Sequence, residues 1–173
     1  MEFRIQTLPA LEIVGKVLET SMHQGRVFQD IPEFWERCDG DGTTAWLAAH
    51  KGPLGVLGAS LDVDHQRGIF RYHASIEAPA GLGELPEGFV RRTIPASQWG
   101  IFEDHGPLPL ILQMLIRDVH TSWLPSSNEW ALAGSFNVVR YPTFLQGTPR
   151  AGDGHVHACE LWIPLRSKDS PKY

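Results

Sequence analysis

Over residues 3–7 apolar and polar side chains alternate, the period of two expected of a strand with one covered face. Pro9 interrupts the run, and residues 12–19 resume it as a second strand. The spacing then changes. Ile31, Phe34, Trp35 and Cys38 recur at three- and four-residue intervals, Asp30 can cap a first turn, and Pro32 falls where a missing N–H costs nothing, which predicts a helix over 29–38. Two longer strands follow at 55–63 and 68–78, joined by a turn at Asp64-His65-Gln66-Arg67.

The same order then returns. Residues 89–94 and 98–103 read as strands, 107–123 as a helix with Leu108, Ile111, Leu112, Leu115, Ile116 and Val119 on one stripe, and 137–145 and 155–165 as two closing strands. Short identities accompany this order: Thr7-Leu8-Pro9-Ala10 matches Thr93-Ile94-Pro95-Ala96, and His73-Ala74-Ser75 echoes His157-Ala158-Cys159. An internal duplication accounts for both. The expectation is an α+β fold of duplicated strand-strand-helix-strand-strand units. They would form one antiparallel sheet with two helices packed on it and a groove on the pseudo-twofold axis. The whole of 1–173 would be a single domain, with copies at about 1–79 and 89–165 and the Pro- and Gly-rich stretch at 80–88 as linker.

Charge narrows the partners. The 173 residues carry 20 acidic and 15 basic side chains, a formal net charge of -5, and no run of Lys or Arg exceeds the pair Arg91-Arg92. Phosphate backbones are gripped by clustered cations, so direct nucleic-acid binding is not expected, and a small cationic or neutral organic partner suits the balance better. The first residues lack a continuous apolar run and nothing reads as a membrane-spanning helix, which places the chain in the cytoplasm with Cys38 and Cys159 reduced. Six tryptophans are unusual in so short a chain; some must be core, an excess also fits a small-molecule pocket, and composition alone does not choose between the two.

Several stretches taken together resemble the GyrI-like, AraC-type effector-binding domain family. They are Ile31-Pro32-Glu33-Phe34-Trp35, Thr93-Ile94-Pro95-Ala96 with Trp99-Gly100-Ile101-Phe102 and Gly106, Trp123-Leu124-Pro125-Ser126, and Glu160-Leu161-Trp162-Ile163-Pro164. The resemblance implies a ligand groove between two halves, a role in sensing or sequestering small and often cationic aromatic compounds, and an acidic residue in that groove. Strand patterning starts at Phe3, so the helix-turn-helix domain that precedes this unit in multidrug-responsive regulators is not expected. Cation-binding members often place a Glu two residues before a Tyr in the strand after the second helix. Here the corresponding residues are Val139-Arg140-Tyr141, so an apolar side chain takes the carboxylate's place and a cation lies beside it.

The candidate ligand-binding residues are Glu160, Trp162, Tyr72, Tyr141, Trp99, Trp123, Trp35 and Phe70. Glu160 sits in an apolar strand, where a carboxylate must be paired, protonated or reserved for a ligand; the ligand reading predicts a raised pKa, and the alternative is an ion pair with Arg140 or another arginine. Pseudo-symmetry would bring the strands of Tyr72 and Trp162 close together, which makes these two the preferred groove aromatics, with Phe70 on the same face as Tyr72; Tyr141 offers a phenol, and Trp35, Trp99, Trp123 and Phe102 either line the groove or pack helix against sheet. His155 and His157 would share a strand face, but no third ligand stands at a recognisable spacing, so neither a metal nor a cofactor is expected. No nucleophile elbow, Walker loop or dinucleotide fingerprint occurs. Two alternatives remain open: a hydrolase of strained cyclopropane-containing toxins using Glu160 and Tyr141 or Tyr72, and a protein-binding module of the gyrase-inhibiting kind.

Overall fold

The computed structural model describes residues 1–142 and 156–169. Two strands, β1 (Glu2–Leu8) and β2 (Leu11–Ser21), lead through a short turn into helices α1 (Val27–Gly40) and α2 (Thr43–His50), followed by β3 (Val56–Asp64) and β4 (Ile69–Glu77). The second half supplies β5 (Val90–Ile94), β6 (Ser97–Gly106), α3 (Leu110–Asp118), α4 (Leu124–Ser126), β7 (Trp130–Leu132), β8 (Asn137–Arg140) and β9 (His157–Ser167). A π-helical turn, Val119–Trp123, fuses α3 to α4. The architecture is α+β, with one nine-stranded antiparallel sheet.

Strand order in the sheet is β1-β6-β9-β8-β3-β4-β2-β5, with β7 added beside β9. Exchanging β1 with β5, β2 with β6, β3 with β8 and β4 with β9 returns the same order reversed. The registers obey the same exchange: Leu8 lies opposite Ser97 as Ile94 lies opposite Leu11, and Leu57 opposite Arg140 as Val138 opposite Ala59. Gly58 pairs with Val139 at the centre, where the exchange maps the pair onto itself. These registers set His73 in correspondence with Glu160 rather than with His157, because Ala59 faces His73 as Arg140 faces Glu160.

The sheet cannot be flat. Strands β1 and β2 stand six positions apart in it, roughly 30 Å at the usual interstrand spacing, yet only Pro9-Ala10 joins them. Three Cα steps reach at most about 11 Å, so the sheet coils until its two margins meet at the Pro9 and Pro95 turns. One face becomes the inside of this roll and is filled by Ile13, Leu57, Ala59, Ile94, Trp99, Ile101, Val138 and Trp162, all buried. The outer face carries the helices in two separate layers. Under α1 and α2 lie Val14, Val56, Phe70, Tyr72, Ala74 and Ile76; under α3 and its π turn lie Phe102, Val139, Cys159, Leu161 and Ile163.

Local departures from the sequence pattern have physical causes. Helix α1 starts at Val27, so Pro32 lies inside it and Asp30 does not cap it; instead Asp30 accepts a hydrogen bond from the Thr20 hydroxyl (2.8 Å) and lies 3.7 Å from Arg26. The proline is tolerated because the carbonyl it leaves unpaired belongs to Phe28, a solvent-exposed residue in the first turn. Helix α2 was not expected: Thr43-Thr44-Ala45-Trp46-Leu47-Ala48-Ala49 has no regular stripe, and Gly42 with a φ of 86° makes the break before it. The second-half helix begins at Leu110, not 107. The strand expected over 137–145 is seen as Asn137–Arg140, and 143–145 and His155 lie outside the described residues.

Candidate functional site

The helix layers leave the middle of the outer face between them. Helix α1 rests on β2, α2 on β2 and β4, and α3 on β6 and β9, while β3 and β8 run between the two layers. Gly58 and Val139 form the floor there. Leu161 and Ala74 flank them in the same row, since Val139 pairs with Leu161 and Gly58 with Ala74.

Tyr72, from β4, leans over this floor. Its hydroxyl comes within 2.2 Å of where a Cβ on Gly58 would stand, so only glycine admits it. The Trp35 indole N–H, from α1, donates to that hydroxyl at 3.0 Å, and the rings of Trp35 and Phe34 meet Tyr72 edge-on with centroids at 6.4 and 6.3 Å. Tyr141, just beyond β8, packs against both helix-side cores and closes the opposite flank. Burial pushes the pKa of both phenols up, and Tyr141 is raised further by Tyr72 and Cys159 nearby. Both therefore stay protonated and able to donate. Phe70 shares this face along β4, and Trp123 packs on Phe102 (4.7 Å) and Phe3 (5.2 Å) toward the β1 margin.

The remaining candidates point inward, into the roll. Trp99 and Trp162 pack at 5.9 Å, and Phe136 meets Trp99 edge-on. Glu160, buried among them, accepts from the Trp162 indole (2.8 Å), from Arg140 to both carboxylate oxygens (3.2 Å each) and from Arg4 (3.2 Å). Arg140 is itself braced by the carbonyls of Leu54 (2.8 Å) and Pro53 (3.2 Å). Burial alone would raise the Glu160 carboxyl, but the indole donor and the two guanidiniums outweigh it and hold its pKa below the ordinary value. The direction is the reverse of that expected from the sequence.

The expected site residues thus divide between two faces. Tyr72, Tyr141, Trp35, Phe70 and Trp123 belong to the helix side, whereas Trp99, Trp162 and Glu160 belong to the inside of the roll. Tyr72 and Trp162 do not share one groove, because Tyr72 lies three positions, an odd number, from Ser75, which shares a row with Glu160 on the face of Trp162. Gly58 and Phe34 were missed, although a lone glycine in an apolar strand is itself a sign of close approach. His157 opens β9, partly buried.

A central floor thus lies between two helix layers, with aromatic side chains around it. The family described as "GyrI-like small molecule binding domain" matches residues 1–166, and the chain belongs to it. No curated protein matches the sequence. Among solved structures, a candidate bacterial transcription regulation protein from Staphylococcus aureus MU50 is 22% identical with a TM-score of 0.73, covering 96% of this chain and 99% of its own. SAV2435 bound to tetraphenylphosphonium is 21% identical with a TM-score of 0.73, covering 96% and 94%. A hydrolase from Listeria innocua is 10% identical with a TM-score of 0.51, covering 95% and 92%. At these identities the likeness is one of fold.

Proposed function

We propose that the chain senses or sequesters small aromatic molecules, held over the Gly58–Val139 floor between the α1–α2 and α3 layers. The observation that carries this reading is the Trp35–Tyr72 pair leaning over a glycine floor at the centre of a small-molecule binding domain. Flat rings set around a narrow floor offer wide apolar contact at low entropy cost, and the phenols supply a few polar handles. The tetraphenylphosphonium complex of SAV2435, which shares the fold, supports an aromatic ligand. We take the reversed strand order and matching registers as support for two duplicated halves within one domain, the axis of which runs through this floor.

A hydrolase reading has less support. It requires Glu160 to act with Tyr72 or Tyr141, and these lie on opposite faces of the sheet with the carboxylate held by two arginines. The test is calorimetric titration with a panel of aromatic compounds, expected to give one site per chain at micromolar affinity, about 8 kcal/mol. Val139→Phe, which fills the floor, should abolish binding while the circular dichroism spectrum stays unchanged. Binding that survives this replacement would place the ligand elsewhere.

A further inference from the structure

The atoms around the floor distinguish between classes of aromatic ligand. The Trp35 indole N–H can only donate, so the Tyr72 oxygen must accept, and the phenol's own proton is left to point away from Trp35. Among the described residues the bond from Trp35 is the hydroxyl's one hydrogen bond, and Tyr72 is 5% exposed. A buried donor that meets no acceptor is unfavourable, and a ligand carrying an acceptor relieves it.

The charges favour the same class. Among the described residues the buried carboxylate is Glu160, which lies beneath the sheet and is matched by Arg140 and Arg4. Arg140, between Val139 and Tyr141 on β8, belongs to that same pair beneath the sheet and brings no charge to the floor. Glu103 lies one strand beyond Glu160 and sits 3.4 Å from His105. On α1, Asp30 is taken by Thr20 and Arg26, and Asp41, just past the helix, by Lys16 and Thr43. None of these carboxylates, among the described residues, is left unmatched to meet a cation moved from water onto this floor, and ring faces alone compensate only in part for the hydration it would lose.

We propose that the groove selects uncharged aromatic molecules that carry a hydrogen-bond acceptor, with the Tyr72 hydroxyl donating to the acceptor and Trp35 aiming that hydroxyl. This rests on the floor being the ligand site. Triphenylphosphine oxide and tetraphenylphosphonium make the comparison: both array phenyl rings on phosphorus, but the first is neutral with an acceptor oxygen and the second is a cation with none. Calorimetry on the full chain should show the oxide binding at least about tenfold tighter, the scale of one buried hydrogen bond.

Tyr72→Phe should erase that advantage, weakening the oxide about tenfold and leaving the phosphonium within about twofold. Trp35→Phe, which keeps the phenol and serves if Tyr72→Phe does not fold, should weaken the oxide selectively as well. Phosphonium binding as tight as the oxide would overturn the selectivity while leaving the groove as a ligand site, and equal weakening of both ligands by Tyr72→Phe would reduce Tyr72 to a packing residue. Binding of neither probe would remove the ligand site and the selectivity together.

Discussion

The Tyr72 hydroxyl occupies the space that any side chain on Gly58 would need, at the point where the two halves of the sheet meet. A methyl group there must push the ring off its bond from Trp35. Gly58→Ala is therefore expected to cost about 1–3 kcal/mol, the range for overpacking a close-packed site. Urea denaturation should show the midpoint falling with little change in slope, and ligand affinity should fall with it.

Glu160 is a structural charge in this account. Because its folded pKa lies below the ordinary value, its contribution is present above the unfolded pKa, near 4.5, and is lost as pH falls through the lower folded value. Glu160→Gln leaves Arg140 and Arg4 without their counter-charge. Arg4 is half exposed and Arg140 keeps its two carbonyl partners, so the loss at neutral pH should be about 3 kcal/mol, the low end for a broken buried pair. Guanidinium titrations from pH 7 to pH 3 should find the variant less stable and its acid slope shallower than that of the unmodified chain.

His73 acts in a different pH window. It is buried, its Nε2 meets no hydrogen-bond partner among the described residues, and burial, with Arg92 nearby, lowers its pKa from 6.5 to about 4. The unfolded chain takes up this proton below pH 6.5 and the folded chain does not until about pH 4, so stability should decline across that interval by about 3 kcal/mol in all. His73→Leu should flatten the decline between pH 6.5 and 4 while leaving the Glu160 effect below it intact.

The cysteines should be inert in the native protein. Burial pushes the thiol of Cys38 up to about 11 and that of Cys159 to about 12, which removes the reactive thiolate at neutral pH. A disulfide reagent at pH 8 is expected to label neither until denaturant is added, and then both. Rapid labelling of Cys159 before unfolding would mean that the floor beneath α3 opens.

The repeated order of strands and the strong helical stripe of Leu115 and Val119 were legible because each depends on period alone. The near-identical tetrapeptides also marked the two tight turns, at Pro9 between β1 and β2 and at Pro95 between β5 and β6. The site was only half legible. The aromatic candidates could be picked out from residue type, but assigning them to a face needs the register, and a slip of one residue moves every side chain to the other side. The short identity between His73 and His157 pointed to one alignment of β4 with β9, whereas pairing through β3 and β8 gives another, with His73 matched to Glu160. The Glu160–Arg4 bond joins residues 156 positions apart, and nothing local in either segment announces it.

The most direct test is a crystal structure of the chain with triphenylphosphine oxide bound. The account predicts the ligand on the helix side, over Gly58 and Val139, touching Tyr72 and Tyr141, with the Glu160–Arg140 pair undisturbed beneath the sheet. A ligand lodged inside the roll against Trp99 and Trp162, with Glu160 released from Arg140, would contradict it.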